Sequence, residues 1–87
     1  MGLDEILEIL GRHRQRATYG AVAGLLGSDP QALFVDYPFT PRTSWVVSSG
    51  DGQPTGFQPS QIHPDLEANV HVIRTVRELR AWLATHP

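Results

Sequence analysis

The chain has 87 residues, no cysteine and a formal net charge of −2, with all seven of its basic side chains arginine. That length fits one compact domain, residues 1–87, and the missing thiols exclude a disulfide framework, a thiolate zinc site and a cysteine nucleophile. The charge balance argues against nonspecific binding to nucleic acid at large, and the chain has neither a long apolar run nor a basic leader, so a cytoplasmic protein without a membrane segment is expected.

Leu3, Ile6, Leu7 and Leu10 fall at the i, i+3, i+4, i+7 spacing of an amphipathic helix. Gly11 and the basic run Arg12, His13, Arg14, Arg16 place its end near residues 11–14. A second helix opens at Thr18, a good N-cap, carries Val22, Ala23, Leu25 and Leu26, and stops at Gly27. Gly24 inside it costs about 1 kcal/mol relative to alanine, which calls for a reason such as the close approach of a neighbouring helix. Ser28-Asp29-Pro30 starts a short third helix over roughly 30–35, and Pro38 and Pro41 make 37–43 an extended connection.

The pattern then changes. Ser44-Trp45-Val46-Val47-Ser48 is β-branched and aromatic and reads as a strand. Gly50-Asp51-Gly52 is hairpin-turn chemistry, with a return strand expected near Pro54–Phe57. Residues 59–66 form a loop or one helical turn, and Val70-His71-Val72-Ile73 alternates as a third strand would. Thr75 and Glu78 have capping-box spacing, and Val76, Leu79, Trp82 and Leu83 supply the apolar face of a final helix. Three helices, a hairpin and a last helix predict an α+β domain of winged-helix type, with the second and third helices as a helix-turn-helix around Ala23, Gly27 and Leu33.

Thr18-Tyr19-Gly20, followed by Ala23, Leu26 and Gly27, and then Trp45-Val46-Val47 with Gly52 through Phe57, resembles the DNA-binding half of the alkylguanine-DNA alkyltransferase and alkyltransferase-like family. The resemblance covers about residues 15–57 and implies a helix-turn-helix module on double-stranded DNA, with Tyr19 pressing on a phosphate. Where that family reads Pro-Cys-His-Arg before Val-Val, this chain has Arg42, Thr43, Ser44 and Trp45, so alkyl transfer is excluded. The arginine that the alkyltransferase-like proteins insert into the duplex is also absent, because no arginine lies between Ala17 and Pro41.

The candidate nucleic-acid residues are therefore Thr18, Tyr19, Gln31, Arg42 and the trio Arg12, Arg14 and Arg16. Each has a structural alternative. Thr18 caps a helix while Tyr19 packs its ring, Gln31 is a solvated helix residue, Arg42 brackets a proline loop, and the trio is a helix end paired with Glu8 or the dipole. His63 and His71 lack metal-ligand spacing, so no metal or cofactor is expected, and no catalytic constellation is apparent. The polar stretch Gln61–Glu67 reads as a turn anchored by Ile62 and Leu66, or as a ligand surface. The run Phe34, Tyr37, Phe39 reads as core plus rim or, exposed together, as a protein-partner patch. A protein-interaction module that kept the fold without DNA binding is the alternative function.

Overall fold

The computed structural model describes residues 2–35 and 37–86. Helix α1 is Leu3–His13, and it buries Ile6, Leu7, Ile9 and Leu10 along the stripe the spacing predicts. Asp4 and Glu5 sit in its first turn and Arg12 and His13 in its last, as the helix dipole favours. It ends on Arg14 in the left-handed region (φ 51°), with the Gln15 amide donating back to the Leu10 carbonyl over 2.9 Å.

Strand β1 (Arg16–Thr18) follows at once and leads directly into helix α2 (Tyr19–Leu26). The Thr18 hydroxyl accepts the Ala21 amide at 3.1 Å, and Gly27 closes α2 at φ 72°, a conformation that glycine adopts without side-chain cost. Helix α3 (Val76–Thr85) is capped in the same way, with the Thr75 hydroxyl accepting the Glu78 amide. It packs on α2 so tightly that a methyl group on Gly24 would lie 2.5 Å from Cγ2 of Val76, which is the close approach that the mid-helix glycine calls for.

Strands β2 (Val46–Val47) and β3 (Val72–Ile73) flank β1 in the order β2-β1-β3, and both run parallel to it. Ala17 stands opposite Val46 on one side and Ile73 on the other, at the centre of the core. That core joins Ile6, Leu7 and Leu10 to Val22, Trp45, Leu66, Ile73 and Leu79, all at most 1% exposed. Among the described residues, no helix is long and apolar enough to cross a membrane.

The domain is thus a small α+β fold of three helices on a three-stranded parallel sheet. Four expectations need correction. The strand expected over Ser44–Ser48 is confined to Val46–Val47, because Thr43–Trp45 forms a 3₁₀ turn. The third helix is a single 3₁₀ turn, Pro30–Ala32, started by the Asp29 carboxylate on the Gln31 amide. The turn at Gly50–Gly52 does close, through Ser48 N to the Gln53 carbonyl and Gly52 N to the Ser48 carbonyl, yet Pro54–Phe57 forms no return strand. Pro54 has no amide to offer a ladder. The strand at Arg16–Thr18 is absent from the expected order, although it is the middle of the sheet.

Candidate aromatic groove and the arginine positions

The residues between α2 and β2 gather aromatic rings around the start of α2. Tyr19 meets Phe34 edge to face at 5.7 Å, and Phe34 meets Tyr37 at 5.8 Å in the same manner. Phe39 stacks on Phe57 at 4.7 Å. Between these pairs lies an open groove of about 450 Å³, lined by Tyr19, Pro30, Gln31, Phe34, Val35, Phe39 and Thr55. That volume falls in the usual range for small-molecule sites. Val35 is 78% exposed and Phe39 44%, so the groove wall is apolar and open to solvent.

Two sequence candidates, Tyr19 and Gln31, therefore face one space. Pro30 and Val35 join them from the same turn that carries Gln31, whereas Thr55 arrives only with the return of the chain after Val47, which nothing local marks. The exposed aromatic run supplied the one usable signal.

Thr18 lies away from the groove surface. It is 2% exposed and its hydroxyl serves α2, so it acts as a cap. Arg16 also departs from the expected phosphate trio. It is 3% exposed, and its guanidinium donates to the Leu66 carbonyl at 3.0 and 2.7 Å and to the Gly52 carbonyl at 2.8 Å. A side chain spent on buried carbonyls is a structural clamp and cannot reach a duplex. Arg12 and Arg14 are exposed, but they are held by Glu8 and Asp65, each at 3.0 Å.

Arg42 is held by Asp4, whose carboxylate lies 2.9 Å from Nη2 and also accepts the Tyr37 hydroxyl at 3.3 Å. Desolvation, followed by the neighbouring Asp4 charge and its hydrogen bond, raises the Tyr37 pKa, while Arg42 pulls in the opposite direction.

The residues at the family's reactive positions are inside. Thr43 is 2% exposed, and its hydroxyl lies within hydrogen-bond distance of the Pro38 and Thr40 carbonyls and the Thr40 amide. The Ser44 hydroxyl donates to the Pro41 carbonyl and accepts the His63 amide. Trp45 is buried, with the His63 ring 4.9 Å away.

The stretch 61–67 is fixed by these contacts and by Leu66, which is 1% exposed. It is a turn anchored in the core, the first of its two expected readings. Among the described residues, no group of three or more histidines and carboxylates is placed to hold a metal. Compared with protein-family models, curated proteins and solved structures, the chain matches none, which leaves the motif residues and this geometry to carry its function.

Proposed function

We propose that this chain is a non-enzymatic DNA-binding module akin to the alkyltransferase-like proteins, in which the 3₁₀ turn Pro30–Ala32 stands where a helix-turn-helix has its recognition helix and the wing is reduced to the turn at residues 48–53. Its working face is the aromatic groove. The observation that carries this reading is the position of Tyr19, the first residue of α2, with its ring on Phe34 at the edge of a space of about 450 Å³ that Phe39, Gln31 and Thr55 complete. Aromatic walls hold unstacked bases by about 1–3 kcal/mol per base, and polar edges orient them. The buried, fully engaged hydroxyl of Thr43 supports binding without transfer, because a nucleophile needs an adjacent base and an open approach.

The test is an amide chemical-shift titration at low salt with a short duplex, first plain and then carrying an alkylated guanine. Shifts on residues 19, 31, 34, 39 and 55 that fade as salt rises are the expected result. No shift with either duplex sinks the reading.

The second reading, a protein-interaction module on the same groove, is favoured by the carboxylates that hold Arg12, Arg14 and Arg42 and by the exposure of Val35. In that case Val35→Ser and Phe39→Ser abolish a protein contact, and neither duplex shifts an amide.

A further inference from the structure

Resting on the DNA reading above, we infer that the phosphate backbone is held by α3, through Arg77 and Arg80 with Arg74 just ahead of them, and not by the arginines at the end of α1. The reasoning is an inventory of guanidinium groups. Arg12, Arg14 and Arg42 each lie 2.9–3.0 Å from a carboxylate, and Arg16 is buried on carbonyls with Glu67 at 3.6 Å. The Arg74 guanidinium donates to the Ser49 carbonyl at 2.6 Å and, among the described residues, forms no ion pair, while its backbone amide donates to Glu78 Oε1 at 3.4 Å. Glu78, the acidic residue of α3, is taken by His71 at 3.0 Å. Arg77 and Arg80 are exposed, and among the described residues neither guanidinium has a hydrogen bond or ion pair.

A net charge of −2 thus conceals a local excess of positive charge. Cations already neutralised by neighbouring carboxylates must give up an ion pair before they meet a phosphate. Free ones only release counterions, which is the favourable term in binding a duplex. Positions 77 and 80 are neighbours on one side of the helix, about 5–6 Å apart at Cβ, and both lie outside the face that buries Leu79 and Leu83. Helix α3 is anchored to the helix that begins at Tyr19, because Val76 packs on Gly24 of α2. The charge complementarity commits this face to the phosphates of a duplex.

The experiment measures affinity for a short labelled duplex carrying an alkylated guanine across a salt series, for the full chain and two double variants of equal charge change. In Arg77→Gln/Arg80→Gln the slope of log affinity against log salt flattens by about 1.8, or 0.9 per lost phosphate contact. In Arg12→Gln/Arg14→Gln the slope stays as in the unaltered chain. Equal flattening in both variants overturns the inference by reducing it to net charge, as does an unchanged slope in the α3 variant. In both of those outcomes the unaltered chain still binds, so the DNA reading stands. An unaltered chain that binds no duplex overturns that reading, and this inference with it. If the α3 variant instead loses binding to an Asp- and Glu-rich peptide while keeping the duplex, the face serves an acidic protein and the inference is overturned.

Discussion

Arg16 and Leu66 are joined across the fold by two hydrogen bonds onto one carbonyl, at 3.0 Å from Nε and 2.7 Å from Nη2. The third bond, to the Gly52 carbonyl at 2.8 Å, ties the turn after β2 to the same guanidinium. One side chain of the central strand thus ties together two points of the long connection between β2 and β3, and it does so where water is excluded.

Replacing Arg16 with methionine is expected to destabilise the domain by about 2–4 kcal/mol, since each buried acceptor left without a donor costs about 1–3 kcal/mol. Arg16→Lys recovers only part of this, because a single ammonium cannot reproduce the planar fork. Glu67→Gln changes stability by less than about 0.5 kcal/mol, because Glu67 is 74% exposed and lies 3.6 Å away. Urea melts of the three variants check the order, and an Arg16→Met midpoint equal to that of the unaltered chain refutes the clamp.

The contact between Gly24 and Val76 sets a second expectation. Alanine at position 24 gains helix propensity worth about 1 kcal/mol. It also drives a methyl to 2.5 Å from a stiff β-branched side chain, and overpacking of this kind costs about 1–3 kcal/mol. Gly24→Ala alone is therefore expected to destabilise. Combined with Val76→Ala, the same change becomes stabilising relative to Val76→Ala alone. A double-mutant cycle by thermal melting measures this coupling, and additive single effects would show that the two helices can shift apart freely.

These two relationships also mark what could be read from the chain order. Helices α1, α2 and α3 were legible because their signals are local: a leucine stripe, Thr18 with Gly27, and Thr75 with Glu78. Gly24 announced a close neighbour without naming it. Strands β2 and β3 fall inside the stretches 44–48 and 70–73 read as strands, but β1 was not legible, because it is three residues long and its pairing to Val46 and Ile73 depends on segments far along the sequence. Gly50-Asp51-Gly52 was correctly read as a turn, but the hairpin it implied fails where Pro54 interrupts the ladder. Tyr19 and Gln31, picked out by motif and position, both line the groove. Arg16 was misassigned because a basic run looks the same whether its members face water or the core.

Tyr37 gives a pH dependence. Its phenol is kept neutral by partial burial and by the Asp4 carboxylate, so in the folded state it ionises above the ordinary value of about 10. A group whose folded pKa is raised contributes stability that is complete below the unfolded value and is lost as pH rises through the folded one. Alkaline titration followed by phenolate absorbance should show one late-ionising tyrosine, and Tyr37→Phe should remove that component. Asp4→Asn moves it earlier. A late component that survives Tyr37→Phe assigns the shift to another ring.

Asp4 also decides whether Arg42 can meet a phosphate. Its carboxylate holds Arg42 Nη2 at 2.9 Å, with the two side chains 50% and 68% exposed, so the pair contributes at most about 1 kcal/mol to folding. Asp4→Asn is expected to leave the thermal midpoint nearly unchanged while releasing a guanidinium close to Tyr37. If Arg42 borders the duplex, affinity rises severalfold at low salt and the slope of log affinity against log salt steepens by about 0.9, one added phosphate contact. Arg42→Gln on the Asp4→Asn background must then cancel the gain, since removing an acidic charge alone would raise affinity without needing that arginine. A gain that persists in the double variant places Arg42 off the duplex and leaves only net charge at work.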